Sequence, residues 1–266
     1  MIHEIRAVWP DLLEEPIEWF DQGWDFLVVV MGRHWVVRRP RSPAGMFRLR
    51  REVLLLNNMP LSPVKIPRYV RSSNTMAVYP FIEGQPVSGP APGLLLKDLA
   101  AFIGWLHDQS GPEPWVNPLH KWVRWFDAQS QRILAGDILG LMPVRDAKRV
   151  KERLAKGLSC LRASAFRPVL LHGDLVRDHV LASSEGRLTG VIDFGDWRVG
   201  DPAYDWAGIP ELDELWPESG VEAEFAERIQ FYRFMAPFYA IERGIKSGQT
   251  ELVERQLNLV HRLLSR

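Results

Sequence analysis

The sequence predicts an α+β protein, with a small sheet-rich N-terminal half and a larger helix-rich C-terminal half that holds one short hairpin. Three observations predict it. Short runs of β-branched and aromatic residues alternate with turn residues up to about residue 82. A Gly/Pro-rich segment then covers 83–93. Beyond it, apolar residues recur at spacings of three and four.

In order along the chain, Phe26–Val30 and Trp35–Val37 flank the turn Met31-Gly32-Arg33-His34 and read as a hairpin. Met46–Asn57 mixes Phe47, Val53, Leu54 and Leu56 with Arg48, Arg50, Arg51 and Glu52, a helix pattern. Ile66–Val70 and Met76–Tyr79 read as two more strands. In the segment Glu83–Gly93, residues that lack a backbone donor or tolerate positive φ are concentrated, so the domain boundary is placed there, giving parts 1–82 and 83–266. Leu95, Leu99, Phe102, Ile103 and Leu106 then share one helix face. Arg145–Leu161 reads as a basic helix, Pro168–Leu171 as a strand, and Val180–Ala182 with Leu188–Ile192 as a hairpin around Ser183-Ser184-Glu185-Gly186. Glu222–Ile245 and Thr250–Leu264 are helical.

Composition narrows the classes. The 266 residues carry 33 basic and 33 acidic side chains, a balance that argues against a nucleic-acid partner. Cys160 stands alone, which excludes an internal disulfide and a cysteine-based metal cluster; it reads as a small buried hydrophobe. The apolar run Phe26–Met31 is far short of a membrane span, and Met1–Arg6 has no signal-peptide pattern, so a cytoplasmic protein with no membrane partner is expected.

Chemistry-bearing residues gather where strands end. His172-Gly173-Asp174 follows the strand ending at Leu171, His179 precedes the next strand, and Asp193-Phe194-Gly195-Asp196 closes the hairpin. Because hairpin strands lie side by side, the entry residue His179 and the exit residue Asp193 come within reach of one cation, with Asp174 on the loop leading in. A carboxylate with one further ligand is how Mg²⁺ is held when substrate phosphates complete its shell. Asp174 is then placed to take a proton from a hydroxyl.

The run His172–His179, followed by Val191–Asp196 and Gly200-Asp201-Pro202-Ala203-Tyr204-Asp205, resembles the aminoglycoside phosphotransferase family. In detail it looks most like the branches acting at an aminoglycoside 2″-hydroxyl and on macrolides. The resemblance implies a bilobal, protein-kinase-like fold, with 1–82 as a nucleotide-binding lobe and 83–266 as a catalytic and substrate-binding lobe. It also implies Asp174 as catalytic base, His179 and Asp193 as Mg²⁺ ligands, Arg38 on the phosphates held by Glu52, and the Tyr79-Pro80-Phe81-Ile82 segment at the purine, through the Pro80 carbonyl and the Ile82 amide. Asp205 is implied to bond the catalytic loop. The co-substrate is a nucleoside triphosphate, GTP or ATP, with the bulk of Tyr79 favouring GTP. The acceptor is a small-molecule hydroxyl, most simply on an aminoglycoside, with a macrolide or metabolite as competitors. The protein is expected to be a monomer or weak dimer.

The chain departs from the family pattern at four places. His179 stands where Asn is usual, Arg38 where Lys is usual, and Val176 where Lys or His is common. In place of a Gly-x-Gly-x-x-Gly loop there is only Gln22-Gly23-Trp24-Asp25. Several readings stay open. Strand register decides whether Arg38 or Arg39 points inward, and Glu52 is a partner of Arg38 or a solvated helix charge. The acidic stretch Glu211, Asp213, Glu214, Glu218, Glu222, Glu224, Glu227 is either an attractor of a polycationic acceptor or an ordinary helix face. The run Phe231–Tyr239 reads as core, and His107 as a packed histidine. Two other classes compete with a transferase: a hydrolase with His172, Asp174, His179 and Asp193 as a metal cluster, and a non-catalytic nucleotide-binding module.

Overall fold

The computed structural model describes residues 1–12, 15–21, 23, 25–111, 119–215 and 223–265. Gln22 and Trp24 of the turn, and Glu218 and Glu222 of the acidic stretch, lie outside the described residues. The chain forms two compact units, Met1–Trp115 with His172–Arg198, and Val116–Leu171 with Val199–Arg266.

The first unit opens with helix α1 (Ile2–Val8) and strands β1 (Ile17–Phe20), β2 (Phe26–Met31) and β3 (Trp35–Pro40). Helix α2 (Pro43–Asn58) and strands β4 (Arg71–Ser72) and β5 (Ala77–Pro80) follow. The five strands form one sheet in the order β1-β2-β3-β5-β4, each pair antiparallel. Pleating sorts their side chains. Val29, Met31, Val37 and Val78 lie on the face covered by Ile5, Trp9 and Leu12, and this layer is a buried core. Arg39 is on that same side and meets Glu4 of α1 at 3.0 Å, so its neighbour Arg38 faces the other way. Ser42 caps α2, accepting from the Gly45 amide at 3.1 Å, and Pro43 suits the first turn.

Several elements depart from the sequence reading, which also leaves out the helix Leu119–Ala135. Neither α1 nor β1 is anticipated, because both lie in segments too short to show a period. The run Ile66–Val70 is not a strand. Pro67 has no amide to give a ladder, and the run is tied at single points, by Lys65 to Gly190, by Tyr69 to the Asn57 side chain and by the Val70 amide to the Val78 carbonyl.

The Gly/Pro-rich segment contributes strand β6 (Gln85–Pro86) and leads into helix α3 (Gly93–His107). The predicted face Leu95, Leu99, Phe102, Ile103 and Leu106 is buried throughout, each side chain contributing about 1.5–3 kcal/mol of burial. Helix α3 grips the hairpin that joins Val180–Ala182 to Leu188–Val191. Asp98 accepts two bonds from Arg187 (2.6 and 2.8 Å) and one from the Leu188 amide.

The second unit holds α4 (Leu119–Ala135), α5 (Val144–Ala163) and strand β7 (Val169–Leu171). The chain returns to the first unit for β8 (Val180–Ala182) and β9 (Leu188–Val191), which pair with each other and with β6. Strand β10 (Arg198–Gly200) leads to α6 (Ala203–Trp206), α7 (Ala223–Ser247) and α8 (Thr250–Leu264). As expected, the aromatic run is core, with Phe231, Tyr232, Phe234 and Phe238 all buried against Trp122 and Phe126. Buried Asp201 ties this unit together. It accepts from the Ala203 amide (3.0 Å), Arg228 Nε (2.7 Å) and the Tyr232 hydroxyl (2.7 Å), while Trp122 donates to that hydroxyl at 2.9 Å. Gly200 lets the Trp122 ring approach: a Cβ there would lie 2.2 Å from it. Asp205 is buried on α6. Cys160 is half-buried, 3.9 Å from the Ser164 hydroxyl, so the fully buried position expected of it is corrected. Helix α5 turns its apolar stripe (Val150, Leu154, Leu158, Leu161) to the core and leaves Cys160 beside it.

Candidate active site

The residues singled out for chemistry gather within the first unit, in two adjoining groups that share Asp193. The first is built on the sheet. Arg38 projects from the face of β3 opposite α1 and is 3% exposed. Its Nη1 donates to both oxygens of Glu52 at 2.6 Å and to the Tyr69 hydroxyl at 3.2 Å, and its Nη2 donates to Asp193 Oδ1 at 2.7 Å. The guanidinium lies 4.0 Å from the Phe26 ring centroid, a stacked and forked arrangement that a lysine could not copy. Arg38, not Arg39, is therefore the inward residue, and Glu52 is its partner rather than a solvated charge. Burial raises the Glu52 carboxyl above its ordinary range, against the pull of Arg38.

The second group is built on the loop between β7 and β8. His172 is fully buried and uses both ring nitrogens on backbone. Nε2 faces the Ile192 carbonyl at 3.0 Å and Nδ1 receives the Asp174 amide at 3.3 Å. Its ring packs 4.4 Å from Phe194, which meets Phe102 of α3 edge-on at 6.5 Å. The loop is thus braced from α3 upward. Gly173 has φ +83°, and a Cβ there would lie 2.1 Å from the Asp196 carbonyl, so this position needs glycine on both counts.

Asp174 is half-exposed. Burial, reinforced by Asp196 and Asp193 and opposed by His179 and Arg198, raises its carboxyl to about 6. His179 Nδ1 faces the Asp174 carbonyl at 2.8 Å. A carbonyl only accepts, so Nδ1 donates to it, and Nε2 faces Asp193 Oδ2, 3.6 Å away. That gap is too long for a hydrogen bond and suits a divalent cation held by both atoms, with phosphate oxygens and water filling its other positions. Asp193 sits in the left-handed region, φ 64° and ψ 65°, where a non-glycine residue costs about 1–3 kcal/mol. Burial opposes its ionisation, yet Arg38, His179 and His172 hold its carboxyl down at about 2, so it stays an anion ready for a cation.

Among the described residues, no group of three or more His, Cys, Asp or Glu side chains is arranged to hold a metal by itself. Because His172 is committed to backbone, the four-residue cluster of the hydrolase reading does not form.

Tyr79 is buried and meets Tyr69 edge-on at 5.3 Å, close enough for Arg38 and Glu52 to act on its hydroxyl. Pro80 and Ile82 lie elsewhere. Together with Phe81 they line a cavity of about 500 Å³ that also includes Lys65, Ile66 and Thr189, and none of Asp174, His179 or Asp193 borders it. Of the turn between β1 and β2, Arg41 bonds the carbonyls of Gly23 (3.1 Å), Phe26 (3.3 Å) and Asp21. Three contributors escaped the sequence reading: Tyr69 and the bracing roles of His172 and Phe194. His172 and Phe194 left a signal, by their places in the motifs; Tyr69 left none.

With this geometry in view, comparison with known proteins is direct. Residues 17–241 match the phosphotransferase enzyme family, and the chain belongs to it. It is a phosphotransferase with an alcohol group as acceptor, and its fold is the kinase-like α+β fold of that family. A curated relative, the uncharacterized protein YcbJ of Bacillus subtilis (strain 168), is 23% identical over 236 residues, covering 80% of this chain and 73% of its own. Among solved structures, the GDP and kanamycin complex of APH(2")-IIia superposes with a TM-score of 0.85 at 22% identity, covering 100% of this chain and 99% of that one. A macrolide 2'-phosphotransferase type I gives 0.72 at 20% identity, over 97% and 96%. No described helix is long and apolar enough to cross a membrane.

Proposed function

We propose that the protein transfers the γ-phosphoryl group of GTP or ATP to a hydroxyl of an aminoglycoside-type antibiotic. Residues 1–82 serve as the nucleotide-binding lobe and 83–266 as the catalytic and acceptor lobe. The observation that carries the reading is the meeting of Asp174, His179 and Asp193, with His179 Nε2 facing the Asp193 carboxylate across 3.6 Å. His179 and Asp193 would hold Mg²⁺, which when bound neutralises the phosphate oxygens.

Asp174 orients the acceptor hydroxyl and takes its proton. The acceptor oxygen forms a bond to the γ-phosphorus, the bond to the β–γ bridging oxygen breaks, and the nucleoside diphosphate leaves. Arg38, held by Glu52, adds positive charge on the phosphate side. Tyr79, the Pro80 carbonyl and the Ile82 amide are assigned to the purine. The GDP in the similar APH(2")-IIia complex favours GTP.

A second acceptor class has an observation in its favour. Two members of the acidic stretch are neutralised, Asp213 by Arg233 at 2.8 and 3.0 Å and Glu227 by Lys156 at 3.3 Å. A less cationic acceptor, a macrolide or a metabolite hydroxyl, fits that weakened surface. Incubation of γ-labelled GTP and ATP with aminoglycosides, macrolides and small alcohols decides between them. Label on an aminoglycoside supports the first reading, label on a macrolide or alcohol alone supports the second, and label on none overturns both.

A further inference from the structure

Helix α2 meets the segment 193–198 through Arg48, Arg51 and Glu52, spaced i, i+3, i+4 on one face. Glu52 engages Arg38, which holds Asp193. Arg48 bonds Asp25 and lies 3.9 Å from Asp196. Arg51 makes the most specific contact of the three. Its Nη2 donates to the Trp197 carbonyl at 3.0 Å, and its guanidinium lies 4.3 Å from the centroid of the fully buried Trp197 ring.

Arg51 is held there against its surroundings. Burial, and the like charges of Arg198 and Arg48, depress its pKa, with only Asp196 opposing them. What its contact does accomplish is geometric. The Trp197 carbonyl lies four residues beyond Asp193, and Glu52, which takes a bond from the Phe194 amide, follows Arg51 directly, so the Arg51 bond ties α2 at a second point to the segment that bears Asp193.

We propose that Arg51 is a positioning residue, whose bond to the Trp197 carbonyl fixes α2 so that Glu52 can hold Arg38 against Asp193. This rests on the role assigned to Asp193 under the proposed function.

Arg51→Met keeps the apolar stem and removes the donor; Arg51→Lys keeps a charge and one donor. With acceptor saturating, kcat of Arg51→Met is expected to fall about tenfold or more while the nucleotide Kd stays within about threefold. Arg51→Lys recovers most of the loss. Amide hydrogen exchange in α2 accelerates in Arg51→Met and leaves α3 unchanged, a local loosening that global destabilisation would not produce. Wild-type kcat and exchange in Arg51→Met, an Arg51→Lys no better than Arg51→Met, or equal acceleration in α2 and α3 would each overturn the proposal. If the wild type transfers nothing while exchange in α2 alone responds, the assigned reaction fails and the coupling of α2 stands.

Discussion

Asp174 has two properties that a general base needs. It is open to a substrate, and its carboxyl is raised to about 6 by burial and by the carboxylates of Asp196 and Asp193. Only the ionised form can accept a proton, so kcat/KM should climb with pH through about 6 and level off above it; a profile flat down to pH 4.5 contradicts the assignment. Gly173 is the residue that lets this loop exist. Gly173→Ala forces a Cβ into the Asp196 carbonyl at an unfavourable φ, and a loss of about 2–4 kcal/mol is expected in denaturant unfolding. Asp174, His179 and Asp193 could be selected from the motif and its spacing, because hairpin geometry alone brings strand entry and exit together. Tyr69 could not, since nothing in Ile66-Pro67-Arg68-Tyr69-Val70 marks a hydroxyl destined for a buried guanidinium.

At the scale of elements, periodicity was informative for several long, one-sided helices, though α4 was not read from it. Helices α3, α5 and α8 fall where the apolar spacing puts them, and the hairpin of β8 and β9 where its turn does. Strand register resolved Arg38 from Arg39 only once the sheet was formed, because α1, which claims Arg39 through Glu4, is too short to announce itself in the pattern. The same holds for the Asp201 network. The sequence shows Gly200-Asp201-Pro202 as a motif but not that Arg228 and Tyr232 converge on it. Asp201→Asn leaves the Arg228 guanidinium buried without its counter-charge. Its expected cost is about 3–5 kcal/mol, read as a fall in the urea midpoint; a midpoint unchanged from wild type would mean that the network contributes nothing.

For the whole molecule, ligand binding to the folded state adds stability by mass action. At a Mg²⁺–nucleotide concentration about a hundredfold above Kd, the gain is about 2.7 kcal/mol, visible as a raised thermal midpoint. Asp193→Asn should lose the part of that gain that depends on Mg²⁺ and keep the part nucleotide gives alone, which separates a cation site from a mere nucleotide pocket. A non-catalytic module would show the stabilisation and no transfer. The claim on which all of this depends is that Asp174 takes the proton of a hydroxyl as a phosphoryl group arrives. It is tested most directly by the rate of label transfer from γ-labelled nucleotide to the best acceptor, in wild type and in Asp174→Asn at matched nucleotide saturation. The expected result is a fall of about 10²–10⁴-fold with nucleotide affinity intact; transfer by Asp174→Asn at the wild-type rate would contradict it.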